Sequence, residues 1–574
     1  MRQAAVGLWA IFMLSVGAGQ ALAGDSMASM PGSAMPASMP MAGPPTTIAA
    51  WAKGAMRFEG LAKTHRAIAT TSPEAQAYFD QGFALMWGFN YDEASRSFAK
   101  AAELDPHCAA CFWGVSLTVG PNYNQLSMTA ERAKVAFEAL GRAREEAAHA
   151  SPVEQALIAA LEERYPNDEA LDPRSAIPVL TAYAEAMKAV AAKFPDDLDV
   201  QTLYAEALMD LHAWKLWGPD GTPAPGTLEI VSTLKGVLAR DANHVGANHY
   251  LIHALEASPH PEEAVAAAER LRGLAPAEGH LDHMPAHIFQ LVGRYEDAAE
   301  SNRQGVKADL AYLALTTPPG FYAAGYTGHN YQFLAYSAAM EGRRAEAVEA
   351  ADQSRSLDGD DMLAQMPGMD WYVSELYSVR VRFGMWDQLL AMPAPSANLP
   401  GLAVGYLWAH GMAQAATGDV SGAKASLAAL EAAGKALPAD AVAGQSNLLT
   451  AIVAVAVPHL RARIARAEGK AEDEIRFLRL AVTAEDRLAY DEPKNWFAPS
   501  RHALGEALLR AGRAGEAEVV YREDLKQNPA NGWSLFGLSQ ALLAEGRKDE
   551  AAAAERDFET AWSHADITLA ASAY

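Results

Sequence analysis

Tyr78–Pro106 reads YFDQGFALMWGFNYDEASRSFAKAAELDP, and the spacing of its small and large residues decides the fold. With Gly82 set at position 8 of a repeat, Ala94, Phe98, Ala101 and Pro106 fall at positions 20, 24, 27 and 32. Small residues at positions 8 and 20 let two helices approach. An aromatic at 24 fills the seam, and proline ends the second helix. The period recurs outward from here: Gly512 and Gly546, Ala517 and Ala551, and Ala264 and Ala298 are each 34 residues apart. Pro529 and Pro276 close units of their own, and further units are legible at Gly342–Ala347 and Gly418–Ala423.

This pattern resembles the tetratricopeptide repeat family over most of residues 74–560. The expected fold is all-α, a right-handed TPR-type helical solenoid of stacked helix-turn-helix repeats. Residues 217–227 (WGPDGTPAPGT) and 318–326 break the register and are expected to protrude as loops. The expected organisation is a signal peptide at 1–23, a Met/Pro-rich disordered linker at 24–50, an N-terminal solenoid with a histidine-rich groove at 51–395 and a C-terminal solenoid at 396–574. The two halves are expected to meet near 389–401 (LLAMPAPSANLPG).

Composition bounds the function. In 574 residues, 50% hydrophobic content supplies a core throughout and excludes global disorder. A net charge of −24 argues against nucleic acid or anionic lipid as a partner. Two cysteines cannot staple a chain this long, so packing must hold it. The body of the chain has no apolar run long enough to span a membrane. At the N-terminus, Arg2, the apolar stretch Ala5–Gly17 and Ala21-Leu22-Ala23 have the order of a cleavable secretory signal. Export to an oxidising compartment follows, the periplasm in a Gram-negative host. Behind the signal, Met27, Met30, Met35, Met39 and Met41 lie in a low-complexity segment. It reads either as a spacer or as a soft thioether site for Cu(I).

Eight of the 16 histidines lie between His244 and His329. Taking Ala264 as position 20 puts His249 and His253 at positions 5 and 9, and Ala298 puts His283 and His287 at the same two positions of the next unit. In tetratricopeptide folds, positions 2, 5, 9 and 12 of the first helix face the concave groove. Residues four apart share a helical face, and packed helices lie about 8–10 Å apart, so four imidazoles can converge on one ion. Glu256 at position 12 is a candidate ligand or orienting acceptor. His212 in the preceding unit, and His280 and His329 at position 2 of theirs, are further candidates. Pro285 lies between His283 and His287, and a helix interior would not accept it. It fits if Asp282 caps the helix and Pro285 falls in the first turn, leaving His283 at the helix mouth.

Residues 248–298, DPHCAACFWG at 105–114, HNYQFL at 329–334 and EDLKQNPANGWSLFGL at 523–538 resemble a group of exported bacterial tetratricopeptide proteins. The resemblance implies a shared groove and supplies no reaction. In that group the HN..FL segment often carries a further histidine where Gln332 stands here.

Cys108 and Cys111 straddle a repeat junction. Phe112 follows the second cysteine, which excludes covalent haem. A local disulfide and a soft-metal or redox pair assisted by His107 both remain. Trp87, Trp113, Trp214, Trp217 and His410 read as core. His502 with Glu506 reads as an isolated groove pair, and Asp491-Glu492 and Asp360-Asp361 as solvated charges.

Three functions fit the sequence. The first is a periplasmic metalloprotein holding copper, with zinc and iron also suited to imidazole, as a carrier or an oxidative enzyme. The second is a metal-free scaffold binding a peptide or protein in the groove. The third is a thiol redox module centred on Cys108 and Cys111.

Overall fold

The computed structural model describes residues 43–316 and 322–574. The segment read as a signal peptide and the Met-rich stretch up to residue 42 lie outside the described residues. Within them the repeat is built as its small residues require. Helix Pro73–Trp87 opens with Pro73 in its first turn and Ser72 as cap, the Ala75 amide donating to Ser72 Oγ at 3.2 Å. Asn90 caps the paired helix Tyr91–Leu104. Phe98, fully buried, inserts from that second helix between Gly82 and Gly114 of two successive first helices. A Cβ at Gly82 would come to 2.9 Å from the Phe98 ring, and one at Gly114 to 2.5 Å, so neither position admits a side chain without displacing the ring. Tyr521 repeats the arrangement between Gly505 and Gly537.

Helix follows helix from Ile48–Ala52 to Lys548–Ala561, and consecutive helices pack on one another as an all-α, TPR-type solenoid. The only strands among the described residues are Val442–Ala443 and Asn447–Leu448, a two-residue antiparallel pair. None of the described helices is long and apolar enough to cross a membrane.

Two large apolar clusters make the core. One runs from Trp51 to Ala298 and takes in Phe333; the other runs from Tyr295 to Leu569. Helices Tyr295–Leu315 and Gly328–Met340 contribute to both. The 389–401 segment lies inside the second cluster, with Leu389 and Leu399 buried in it. Order begins within the stretch read as linker: Thr47 caps Ile48–Ala52, and Trp51 is buried under the guanidinium groups of Arg96 and Arg132.

The first register break differs from expectation, and the second is described only from residue 322. Trp217 donates from Nε1 to the Ala254 carbonyl at 2.7 Å, which ties 217–227 back against helix Val245–Leu255. Residues Ala323–Thr327 form a π-turn running directly into helix Gly328–Met340, while 317–321 lie outside the described residues. Cys108, the cap of helix Ala109–Val119, is disulfide-bonded to Cys111 across the first turn, both sulfurs buried.

Candidate metal centre

The centre is assembled from three first helices. Helix Val245–Leu255 carries His249 and His253. The next unit is broken at its proline: Gly279–His283 ends, Met284 intervenes, and Pro285–Leu291 begins with Pro285 at its first position. Asp282 therefore does not cap this helix. Pro285 costs one backbone hydrogen bond and a kink, and the kink falls between His283 and His287. Helix Gly328–Met340 brings in His329.

These residues form two triads. In one, nitrogens of His249, His253 and His280 lie within 4.8 Å of one another; in the other, those of His283, His287 and His329 do. A third set joins Glu256, His287 and Glu492. Six of the eight candidate ligands are thus histidines in two groups of three, with Glu256 behind them. His212 lies beyond the end of helix Leu198–Met209 in a half-buried 3-10 turn and joins neither triad. His244 and His260 also stay out. His244 accepts from the Ala247 amide as a helix cap, and His260 is exposed.

Three of the imidazoles are held by hydrogen bonds at Nδ1, and the Nδ1 of a fourth, His287, faces two carboxylates. His249 Nδ1 donates to the Trp87 carbonyl at 2.6 Å, and His253 Nδ1 lies 2.8 Å from Glu256 Oε1. His283 Nδ1 donates to Asn302 Oδ1 at 2.6 Å, and Asn302 is itself oriented by donating to the Ala298 carbonyl at 2.7 Å. His287 Nδ1 lies 2.8 Å from Glu256 Oε2 and 3.3 Å from Glu492 Oε2. An imidazole held at Nδ1 presents Nε2 as its free ligand atom. The Nε2 atoms of His249 and His253, and both nitrogens of His280, are buried without a hydrogen-bond partner.

The electrostatics suit ligands in their neutral form. Burial, aided by the neighbouring His287, pushes His253 and His329 down to about 3. Burial also holds His249, His280 and His283 well below the ordinary imidazole range. His287 is the exception: burial opposes its charge, but the Glu492 and Glu256 carboxylates push it up to about 10.

A phenylalanine covers each triad. Phe89 has its ring centroid 4.4 Å from His249, 5.6 Å from His253 and 5.3 Å from His280. It does so from a backbone φ of +57°, a conformation that costs a non-glycine residue about 1–2 kcal/mol. Phe333 lies 4.7, 4.6 and 4.8 Å from His283, His287 and His329. Tyr123 and Trp214 pack on His253, and Tyr326 on His280. The expected open groove is filled by these rings; five of the six triad histidines are buried and His329 is half-buried.

Two readings of the sequence are corrected. Asp491 and Glu492 are buried, not solvated. Asp491 accepts from Tyr372 and from Asn495 Nδ2, anchoring the loop so that Glu492 reaches His287. His410 is half-buried and stacks on Tyr406 rather than sitting in the core. His502 pairs with Asp524 at 2.9 Å, while Glu506 engages Arg466 and Arg510. His107 lies on the surface, 3.0 Å from Glu146. Asn302 and Phe89 carried no signal in the sequence pattern, whereas Phe333 lies one turn along the helix from His329 in the HNYQFL segment, and Glu492 was read as solvated.

No family model matches the chain, and no curated protein matches it. Among solved structures, the human IFIT1 dimer with m7Gppp-AAAA is similar over 86% of this chain and 91% of its own, at 11% identity and a TM-score of 0.29. The APC/C hetero-tetramer Cut9-Hcn1 is similar over 82% of this chain and 76% of its own, at 14% identity and a TM-score of 0.31. At this distance no ligand or partner of either carries over.

Proposed function

We propose that this chain is an exported metalloprotein whose buried histidines bind a transition metal, copper favoured, as a carrier or as an oxidative metalloenzyme. The observation that carries the reading is His249 and His253, held through Nδ1 with Nε2 bare in the interior, beside a His280 ring whose two nitrogens are both unpartnered. A buried polar atom without a partner costs about 1–3 kcal/mol, and an ion satisfies several at once. Three imidazoles per group also leave a coordination position open, as catalytic metal sites do. Imidazole serves copper, zinc, iron and nickel. Copper is favoured by the thioether-rich segment at 27–41 and by export. A disulfide between Cys108 and Cys111 is in keeping with an oxidising compartment.

The scaffold reading places a peptide against the groove histidines. The TPR-type solenoid is compatible with that reading, but a peptide would meet a surface other than the His249 and His253 rings, which are buried under Phe89, Tyr123 and Trp214. The acidic net charge continues to favour the absence of a nucleic-acid partner.

The test is elemental analysis of the chain from Gly24, purified from cells grown in mixed trace metals, beside a His249→Ala/His283→Ala double variant. Tightly held metal in the wild type, absent from the variant, supports the reading and names the ion. A wild type that is empty and takes up no added copper, zinc or iron overturns it.

A further inference from the structure

We infer that the histidines form two equivalent sites, one per triad, which together hold a pair of copper ions with a dioxygen-binding position between them. This rests on the reading of the histidines as metal ligands and goes beyond it in number, pairing and substrate.

The first argument is register. His249 and His253 are positions 5 and 9 of one repeat, and His280 is position 2 of the next. His283 and His287 are positions 5 and 9 of that next repeat, and His329 is position 2 of the one after. The same three positions therefore build each triad, displaced by one repeat, and each triad has its own covering phenylalanine. A single four-histidine site on positions 5 and 9 would leave His280 and His329 without a role.

The second argument is spacing. Ring centroids within the triads are 4.7–6.1 Å apart. Across the triads, His253 and His287 are 5.8 Å apart, and His280 and His283 are 5.9 Å apart. The two groups are as close to each other as their own members are. Glu256 also spans them, one oxygen 2.8 Å from His253 and the other 2.8 Å from His287.

The third argument is chemical. Two all-imidazole triads under aromatic rings provide weakly hydrated nitrogen ligands that accept both Cu(I) and Cu(II). A narrow cleft beside the second triad, lined by His287, Phe333, Tyr490 and Glu492, offers about 20 Å³ to the centre of a water-sized molecule, an approach for a small molecule and not for a peptide, while the bridging position itself follows from the closeness of the two triads. In the redox step each of two Cu(I) ions gives one electron to O₂. The O–O bond order falls from two to one, the products are two Cu(II) ions and the bound two-electron-reduced dioxygen, and no proton is consumed.

The experiment loads the metal-free full chain with Cu(I) under anaerobic conditions, counts copper after desalting, and then admits measured O₂ while recording absorption and electron paramagnetic resonance. Two coppers per chain, one O₂ taken up per pair and an oxidised state silent in resonance are expected. His329→Gln and His249→Gln, each checked for helical content by circular dichroism, should each hold one copper and show an isolated Cu(II) signal after oxidation. The wild type alone decides the proposal should either variant fail to fold. One copper per wild-type chain overturns the pair and leaves a single-ion protein. Two coppers that oxidise to independent resonance-visible ions without O₂ uptake also overturn it. No bound copper removes both this proposal and the metal reading beneath it.

Discussion

His283 Nε2 lies 2.7 Å from His287 Nε2, across the kink that Pro285 introduces. Two imidazole nitrogens meet at this distance either by sharing a proton or by facing one ion. His283 donates its other nitrogen to Asn302, so its Nε2 is the accepting atom, and the proton between the rings belongs to His287. A metal binding at this triad, as proposed, would replace that proton.

Asn302 is therefore expected to control affinity without touching the ion. Asn302→Leu keeps the volume but lets the His283 ring rotate. Metal affinity at the second triad should fall about 10–100-fold, with helical content unchanged. Competition against a chelator of known strength measures this, and an unaltered affinity would show that packing alone orients His283.

Metal removal is expected to destabilise the fold. Without an ion, several Nε2 atoms remain buried and unpartnered. Free metal at 100 times its dissociation constant adds about 2.7 kcal/mol to the folded state. The melting midpoint of the wild type should drop on chelation and recover with copper, while the His249→Ala/His283→Ala variant responds to neither. Equal indifference in both proteins would count against any tightly bound ion.

Phe89 offers a test of strain held at the centre. Phe89→Ala removes the ring, at about 3–5 kcal/mol, yet keeps a Cβ at positive φ. Phe89→Gly loses the same ring but relieves about 1–2 kcal/mol of backbone strain. Denaturant titration should rank Gly above Ala at this site, the reverse of the order in a helix interior. The opposite order would mean that the backbone relaxes once the ring is gone.

Asp524 should govern acid stability in the C-terminal repeats. Burial would raise its carboxyl, but His502 and the hydrogen bonds from Ser534 and Asn528 outweigh it and hold the group well below the usual carboxylate range. A folded-state value below the unfolded one gives stability that is complete above the unfolded value of about 3.9 and is lost as pH falls through the folded value. Asp524→Ala is expected to cost about 3–5 kcal/mol near neutrality by leaving its partners unpaired. The gap between variant and wild type should narrow below about pH 4, and a gap that widens there would reverse the assignment.

Much of the site was legible in the alanines and glycines. The 34-residue register placed His249, His253, His283 and His287 on one side of the solenoid, and it put His280 and His329 at a common position. The partition into two triads was not legible, because it depends on how far a position-2 side chain reaches back toward the preceding repeat. Pro285 misled for a related reason. The local rule against proline in a helix favours a helix start, whereas here the preceding turn is helical too and the chain bends through Met284. Asp491-Glu492 misled most. A charged pair in a turn-rich stretch is usually solvated, and its burial arises from distant packing, Asp491 against Tyr372 and Glu492 against His287.

The sequence by itself determined the helical repeat, because each unit encodes its own packing: a small residue where helices touch, a ring at the seam and a stop at the end. Phe98 between Gly82 and Gly114 needs only the neighbouring repeat to be in place. It also placed His249, His253, His283 and His287 at matching positions of two repeats, since a 34-residue period fixes the face on which each histidine emerges. Only the tertiary structure decided what those histidines face. Asn302 comes from the partner helix of the same repeat, Phe89 from a turn some 160 residues upstream of His249, and Glu492 from a loop anchored by Asp491 in the other apolar cluster. These contacts follow from the path of the whole solenoid, which accumulates over many repeats and is written in no single one of them.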